Sequence, residues 1–428
     1  MVVEITPLKP FGKLAPQPWM ISPETRALLD ALMARGTDVR FVGGCVRDAI
    51  AKRPVVDVDI ATPDSPETVI ELLQAADIKA IPTGIDHGTV TAVINKAVYE
   101  ITTLRIDVET DGRRAKVAFT DDWIADAARR DFTINALSCT PNGDIYDPYR
   151  GLEDLGNGVV RFVGNARDRI EEDILRLLRY FRFLAAFGRP PPDKAALDAC
   201  KMFAPKLATL SAERVWREFR RILLGPNPED VITLLQSEHI LEHILPNSGP
   251  VGRLRMLSWL ETTAIQIDTV KPDPIRRLAA ILKQDNPNAH DVAVRFKLSK
   301  QEATRLHLIA KPTFECSAEL SNQDAKNLLY QHDRQIIRDV LLLTWAQELS
   351  LAENRGSVRT QAWLNQLSTI DEATAPSFPL TGQDLLDVGI PAGRRVGELL
   401  QSVEEWWVSG GCKATREDCL KKLNALMN

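Results

Sequence analysis

A pair of aspartates in the segment VVDVDIAT, residues 55–62, is the first feature of the sequence that could do chemistry. The alternation of apolar and polar residues predicts a β-strand, and side chains two positions apart on a strand share a face. Asp57 and Asp59 are therefore expected to point the same way. The residues expected to face the core are Val56, Val58 and Ile60. Two carboxylates held this close repel each other, and a cation removes the conflict. The arrangement suits Mg²⁺, which uses one or two carboxylates together with substrate phosphates.

A glycine turn, GGCVRD at residues 43–48, precedes the aspartates. Gly43 and Gly44 allow a ligand to approach the backbone closely, and free N–H groups in such a turn can bind phosphate. Arg47 and Asp48 are expected to begin the next helix, whose positive dipole end also favours an anion. A phosphate site beside a two-aspartate metal site predicts metal-assisted phosphoryl or nucleotidyl transfer.

The segment RRDFTINAL, residues 129–137, supplies a second group of polar residues. The guanidinium groups of Arg129 and Arg130 can neutralise phosphate charge through paired hydrogen bonds. The alternative for an adjacent arginine pair is a solvated basic surface.

A helix is predicted over residues 165–188 from the spacing of its apolar residues, with Gly188 as the stop. Asp173 and Arg176 are three apart, so they are expected to share one face of this helix. A carboxylate accepts from an exocyclic amine, and a guanidinium donates to ring acceptors. The pair could therefore select cytosine and adenine and reject guanine and uracil without a template. For an isolated pair of this kind, an intrahelical salt bridge is the usual alternative.

The elements that must position these residues change character along the chain. Ser-Pro-Glu sequences at residues 22–24 and 65–67 predict two capped helices, and residues 88–106 predict a β-hairpin with its turn at Asn95 and Lys96. After about residue 165 most segments have helical periodicity. The sequence therefore predicts a mixed α/β first part and a helical remainder.

The length, composition and charge of the chain restrict the classes of protein to which it can belong. A chain of 428 residues is too long for one compact core. It shows no apolar run that could span a membrane and no signal peptide, which predicts a cytoplasmic protein. Its six cysteines form no Cys-x-x-Cys pair, which argues against zinc and disulfides. The net charge of −5 argues mildly against nucleic acid, but arginines cluster locally. The clusters are Arg167, Arg169, Arg176, Arg179 and Arg182, then Arg214, Arg217, Arg220 and Arg221, and in the tail Arg394 and Arg395.

The ordered set of motifs resembles the class II tRNA nucleotidyltransferase and poly(A) polymerase family. GGCVRD is followed in the family's order by DVDIAT, DHGTVTAV, YEITTLR, RRDFTINAL, DPYRGLEDL, RIEEDILRLLRYFRF and ERVWREFRRIL. The resemblance is strong from about residue 20 to 225, with a weaker match at 379–401. It implies an α+β fold: a polymerase-beta-like nucleotidyltransferase head with a small mixed sheet, then an all-helical neck, body and tail.

The implied division of the chain has five segments. They are an N-terminal extension (1–21), a head (22–155), a neck that recognises the nucleotide base (156–225), a body (226–370) and a tail that binds tRNA (371–428). Residues 105–123 resemble the family's flexible loop, with Arg114 where histidine is expected.

The resemblance also implies site roles. Asp57 and Asp59 hold two Mg²⁺ ions, and Glu100 matches a third catalytic carboxylate. Asp131 accepts a hydrogen bond from a ribose hydroxyl, Asn135 braces the site, and Glu213 and Arg214 support the helix that reads the base. The nucleotide-binding residues are Gly43, Gly44, Arg47, Arg129, Arg130, Asp131, Asn135, Glu172, Asp173, Arg176 and Arg179.

The implied reaction is template-independent addition of CCA to the 3′ end of tRNA from CTP and ATP, with release of pyrophosphate. The expected partners are the acceptor arm of tRNA, its elbow through the tail, and the two nucleotides, with no membrane or stable protein partner. Three alternatives stay open: a poly(A) polymerase, an A-adding enzyme, and a non-catalytic RNA-binding scaffold.

Overall fold

The computed structural model describes residues 9–111, 114–246, 248–265, 267, 270–283, 288–351 and 357–427. The chain forms two compact units. One comprises the residues up to Gly225 together with Leu234–Ile244, and the other Pro226–Thr233 together with the residues from Leu245 onward. The finer division into five segments stays a prediction.

The first unit is built on a mixed sheet of eight strands in the described part of the chain, in the order β1-β10-β9-β2-β3-β6-β5-β4. Strands β3 and β6 pair in parallel, and the other neighbours are antiparallel. Strands β7 and β8 form a separate hairpin. The strands are β1 (Gly12–Lys13), β2 (Arg40–Val42), β3 (Asp59–Thr62), β4 (Lys79–Gly84), β5 (Thr89–Ile94), β6 (Ala97–Thr103), β7 (Arg105–Asp111), β8 (Arg114–Phe119), β9 (Ser138–Cys139) and β10 (Asp144–Tyr146).

Helices cover this sheet and continue to the end of the first unit. They are α1 (Pro18–Ile21), α2 (Pro23–Leu32), α3 (Gly44–Ile50), α4 (Pro66–Ala75), α5 (Trp123–Ala128), α6 (Gly151–Asn157), α7 (Ala166–Glu172), α8 (Leu175–Phe187), α9 (Lys194–Phe203), α10 (Ala212–Leu223) and α11 (Pro228–Ser237), the last shared with the second unit. Short 3₁₀ turns lie at Ile85–His87, Thr133–Asn135, Ala204–Thr209 and Leu241–His243.

The second unit is helical. Its helices are α12 (Gly252–Trp259), α13 (Pro274–Ala280), α14 (Ala289–Arg295), α15 (Lys300–Ala310), α16 (Asn322–Gln331), α17 (Arg334–Leu351), α18 (Ser357–Glu372), α19 (Gly382–Asp387), α20 (Arg394–Ser409) and α21 (Arg416–Met427). A π-helical turn, Leu260–Ala264, directly follows α12. In the described residues, no helix combines the length and the apolar character needed to cross a membrane.

Local sequence signals place the elements around the glycine turn. The side chains of Ser22 and Ser65 each accept a hydrogen bond from the backbone N–H three residues later, which caps α2 and α4 as the sequence predicts. The hairpin turn at Asn95 and Lys96 has φ values of 46° and 75°, as a two-residue turn requires. Its strands bring β6 beside β3, and this pairing puts Glu100 opposite Asp59.

Three local predictions are wrong. The strand predicted for residues 55–62 begins only at Asp59, and Val56 is 86% exposed rather than facing the core, because the residues before Asp59 have no strand partner. Arg47 does not begin its helix: α3 starts at Gly44 and places Arg47 in its last turn. The predicted loop at 105–123 contains the hairpin β7–β8, and the side chain of Arg114 lies outside the described residues.

The helix predicted over residues 165–188 is also interrupted. It ends at Glu172, Asp173 has an extended backbone (φ −150°, ψ 108°), and a second helix runs from Leu175 to Phe187. Gly188 follows that helix as predicted. Asp173 and Arg176 therefore do not share a continuous helix face.

Candidate active site

The glycine turn lies at the end of β2, where Gly43 has a φ of 68° that strongly favours glycine. A Cβ atom at this position would lie 2.8 Å from Nη1 of Arg130. Glycine is therefore favoured here by the backbone conformation, and it leaves room for the guanidinium group of Arg130. The turn brings a cation beside the backbone that the sequence assigns to phosphate.

The acidic residues lie beside this turn. Asp59 opens β3 and is directly opposite Glu100 on β6, while Asp57 lies two residues earlier and is exposed. Burial raises the pKa of Asp59, the charges of Glu100 and Asp57 raise it further, and Arg130 and Arg47 oppose the shift. The site therefore concentrates negative charge that the protein's own arginines only partly neutralise.

A magnesium ion fits this donor set. Asp57 and Asp59 supply hard oxygen ligands, and both burial and the charges of Glu100 and Asp57 disfavour the Asp59 carboxylate unless a cation is bound. Among the residues that the structure describes, no group of three or more His, Cys, Asp or Glu side chains could hold a metal ion by itself. Glu100 therefore does not complete a three-carboxylate group with the aspartates, and its role as a third ligand stays a prediction. Two carboxylates suffice when substrate phosphates supply further ligands.

Asp126 fixes the two arginines of the RRDFTINAL segment, and the sequence analysis missed it. Its carboxylate is buried and accepts from Nε and Nη2 of Arg129 at 2.8 and 2.7 Å and from Nη2 of Arg130 at 3.1 Å. Burial opposes its ionisation, but the charges of Arg130 and Arg129 hold its pKa below the usual value. The signal was present as acid-to-arginine spacings of three and four residues on one helical turn.

Asp131 and Asn135 connect the remaining predicted arginines. Asp131 is buried and accepts from Nε and Nη2 of Arg179 at 2.8 and 2.5 Å and from Nδ2 of Asn135 at 2.9 Å. Oδ1 of Asn135 accepts from Nη1 of Arg47 at 2.5 Å. Burial disfavours the Asp131 carboxylate, but the charge of Arg179 and the hydrogen bond from Asn135 hold its pKa below the usual value. Asp131 thus positions Arg179, and a ribose hydroxyl would compete with these partners.

The proposed base-reading residues are held by separate partners around the helix interruption. Nη2 of Arg214, on α10, lies 2.9 Å from both oxygens of Asp173, whose Oδ1 also accepts from the backbone of Leu175 at 3.1 Å. Nη1 of Arg176 donates to Glu172 at 2.5 Å. The interruption lets the two side chains start from different backbone segments rather than from one helical face.

Comparison with known proteins decides the family. A sequence model of the poly A polymerase head domain matches residues 39–161, and a model of tRNA nucleotidyltransferase domain 2 matches residues 275–423. The human protein CCA tRNA nucleotidyltransferase 1, mitochondrial, is 34% identical over 402 residues, which cover 92% of this chain and 88% of the relative. The chain belongs to the tRNA nucleotidyltransferase and poly(A) polymerase family.

A bacterial relative and a solved structure agree with this assignment. The CCA-adding enzyme of Streptococcus sanguinis is 33% identical, with 90% of this chain and 93% of that protein covered. The crystal structure of the Bacillus stearothermophilus CCA-adding enzyme in complex with CTP is similar with a TM-score of 0.73 at 26% identity, covering 95% of this chain and 98% of the other. The predicted tRNA nucleotidyltransferase resemblance and the α+β fold with a helical remainder are confirmed.

This member of the tRNA nucleotidyltransferase and poly(A) polymerase family also has a cavity that the motifs did not indicate. About 440 Å³ in volume, it is lined by three arginines and two phenylalanines among other residues. Arg47 lies 4.6 Å and Arg53 4.2 Å from the ring centre of Phe187, and Arg182 lies 4.4 Å from that of Phe183. Arg47, one of the lining residues, also opposes the rise in the pKa of Asp59.

Proposed function

We propose that this chain adds CCA to the 3′ end of tRNA, using CTP and ATP and releasing pyrophosphate. The chain is a nucleotidyltransferase, and relatives named as a CCA tRNA nucleotidyltransferase and a CCA-adding enzyme match about nine-tenths of its length at 34% and 33% identity. The observation that carries the proposal is the carboxylate pair beside the glycine turn and the held arginines, in a chain of this family. Each half of that arrangement alone has a structural explanation, but together they match metal-assisted nucleotidyl transfer.

In the proposed reaction the 3′-hydroxyl of tRNA attacks the α-phosphate, and the bond to pyrophosphate breaks. Asp57 and Asp59 would hold Mg²⁺, which when bound lowers the pKa of the hydroxyl and stabilises the charge of the triphosphate. Arg129 and Arg130, fixed by Asp126, would neutralise phosphate oxygens. The backbone at Gly43 and Gly44, with Arg47, would seat the triphosphate.

The base would be chosen by Asp173 and Arg176. Cytosine and adenine both present an amine beside a ring acceptor, which matches a carboxylate beside a guanidinium group. Guanine and uracil place a carbonyl against the carboxylate and would be rejected. Glu172 and Arg214 would orient the two side chains, since they hold them in the structure.

The remaining predicted roles belong to the same proposal. Asp131 would position Arg179, and Asn135 would position Arg47. These two arginine side chains, rather than Asp131, are our candidates for contact with the ribose and the triphosphate. The acceptor arm of tRNA would bind by its shape and phosphates. The cytoplasm stays the proposed compartment, although the human relative is named as mitochondrial.

The test uses purified protein, Mg²⁺ and labelled tRNA that lacks its 3′ CCA, with CTP, ATP or both, and reads product length at single-nucleotide resolution. CCA addition requires two added nucleotides with CTP and one further nucleotide only when ATP is also present. A long ladder with ATP alone would indicate a poly(A) polymerase, and extension only of tRNA ending in CC would indicate an A-adding enzyme. Binding of tRNA without extension would leave the scaffold alternative.

Replacing Arg214 by glutamine is expected to lower kcat/KM for both nucleotides about tenfold or more and to increase incorporation of UTP. The reason is that Asp173 loses a charged hydrogen-bond partner, which contributes roughly 1.5–3 kcal/mol. Arg214→Lys keeps the positive charge without the planar guanidinium group. Its kcat/KM should therefore lie between those of the wild-type protein and Arg214→Gln. Arg217→Gln, an exposed change on the same helix, is the matched control for CTP-over-UTP selectivity, which weaker tRNA binding would not alter. Unchanged CTP-over-UTP selectivity in Arg214→Gln would contradict a positioning role.

A further inference from the structure

A cavity of about 500 Å³ lies within the helical second unit, and none of its lining residues belongs to the proposed active site. Its volume is in the range of ligand-binding clefts. Its lining combines an aromatic ring, a carboxyl group, a guanidinium group and hydroxyl groups, and includes Glu229, Arg255, Met256, Trp259, Thr262 and Thr360.

The carboxyl group of Glu229 is incompletely satisfied. Its Oε2 atom is buried and accepts no hydrogen bond from the residues that the structure describes. Burial raises the pKa of this carboxyl, and the nearby charge of Arg255 partly offsets the shift. A buried acceptor without a donor is unfavourable and in native proteins usually marks a water, an ion or a ligand. Glu229 is one of the residues that line the cavity, which is large enough to hold a ligand donor.

Trp259 supplies an aromatic surface in the same cavity. Its side chain is 45% exposed, which is unusual for so large an apolar group. It stands at the end of α12, directly before the π-helical turn Leu260–Ala264. Single π-helical turns are rare and occur often at functional sites. The hydroxyl of Thr262 donates to the backbone carbonyl of Ser258 at 2.8 Å, across the start of this turn.

Arg255 completes the set. It is exposed and lies four residues before Trp259 on α12, so the two side chains are neighbours on one helix face. Aromatic rings stack on nucleobases, carboxylates accept from base amines, and arginine binds phosphate. We propose that this cavity binds one nucleotide with an amino-bearing base, stacked on Trp259, hydrogen-bonded to Glu229, and with its phosphate on Arg255.

Two sources share this chemistry: an unstacked nucleotide of bound RNA and a free nucleotide. The RNA source rests on the proposed function. The variants that test both are Trp259→Ala, Trp259→Phe and Glu229→Leu, with Glu315→Gln as an exposed control in the same unit. Glu229→Leu removes the unsatisfied buried oxygen together with the hydrogen bond that the carboxyl accepts from its own backbone N–H, so its melting temperature is measured alongside binding. Weaker binding at an unchanged melting temperature would not reflect unfolding.

The RNA arm measures filter binding of tRNA lacking CCA, without nucleotides. Trp259→Ala and Glu229→Leu are expected to bind about tenfold more weakly, as loss of one stacked base predicts, and Trp259→Phe and Glu315→Gln close to wild type. The free-nucleotide arm measures the number of AMP molecules bound per chain by equilibrium dialysis. The wild-type protein is expected to bind two, one in the active site and one in this cavity, and Trp259→Ala is expected to bind one. Purine riboside monophosphate, which lacks the amine, should bind this second site more weakly.

A change in either arm supports the proposal and names its source. Wild-type tRNA affinity together with an unchanged number of bound AMP molecules in Trp259→Ala and Glu229→Leu would overturn it. Extension of tRNA by the wild-type protein is scored separately. Failure of the proposed reaction would leave the AMP arm intact, and failure of the cavity proposal would leave CCA addition intact.

Discussion

Asp59→Asn is expected to lower kcat for nucleotide addition by about 1000-fold or more while leaving the protein folded. The substitution keeps the size of the side chain but removes its negative charge. That charge lies close to the charge of Asp57, and a bound metal ion would neutralise both. Metal ions contribute several kcal/mol of transition-state stabilisation, and each tenfold in rate corresponds to about 1.4 kcal/mol. The measurement is single-turnover extension of tRNA by CTP over a series of Mg²⁺ concentrations.

The controls separate a metal ligand from a general change in charge. Asp30→Asn removes an exposed carboxylate on α2 and should leave the rate unchanged. Glu100→Gln distinguishes a two-carboxylate from a three-carboxylate metal site. Glu100 lies opposite Asp59 on the neighbouring strand, but the described residues form no three-carboxylate metal group. A small effect at Glu100 beside a large one at Asp59 would fit a two-carboxylate site. More than a tenth of the wild-type rate in Asp59→Asn would refute the catalytic assignment of Asp59.

Sequence patterns sufficed where the determining interactions are local. The caps at Ser22 and Ser65 and the turn at Asn95 and Lys96 depend on residues a few positions apart, and all are present. The family and the fold class followed from ordered motifs.

Patterns failed where a distant partner decides the conformation. The spacing of apolar residues predicts one continuous helix over residues 165–188. It contains no information about the pairing of the Asp173 carboxylate with Arg214, forty-one positions away. In the same way, the sequence pattern did not indicate that the guanidinium of Arg130 lies against Gly43, and the prediction that this turn binds phosphate stays a prediction. Both differences lie at the candidate site, where tertiary ion pairs override the local periodicity.

The second unit contains a buried ion-pair network that no motif indicated. Among the described residues it joins three arginines to three carboxylates: Arg276, Arg277, Arg305, Glu261, Asp273 and Asp339. Arg276 is at its centre and donates to Glu261 at 2.7 Å, to Asp339 at 2.9 Å and to the carbonyl of Lys271 at 2.6 Å. Because Glu261 and Asp339 have fully buried side chains, their charges depend on these donors.

Arg276→Met is therefore expected to lower the free energy of unfolding of the helical unit by about 3–5 kcal/mol, because it removes one of the two charged partners of each of the buried carboxylates Glu261 and Asp339. The measurement is urea-induced unfolding followed by circular dichroism and by tryptophan fluorescence, to which the buried Trp345 and Trp363 of this unit contribute. Arg394→Met, at a position whose side chain is 93% exposed and paired with Glu398, is the matched control and should change stability by less than about 1 kcal/mol.

The pH dependence of the Arg276→Met variant separates a lost charge partner from lost packing. Burial already raises the pKa of Glu261 in the native protein, against the opposing charges of Arg276 and Arg277, and removing Arg276 raises it further. A carboxyl whose folded pKa lies above its unfolded value of about 4.3 binds a proton more readily when folded, so stability falls as pH rises through that interval. The stability deficit should accordingly be larger at pH 8 than at pH 5, because a larger fraction of Glu261 is protonated at the lower pH and depends less on a charged partner. A deficit of the same size at both pH values would show instead that Arg276 stabilises the unit through packing.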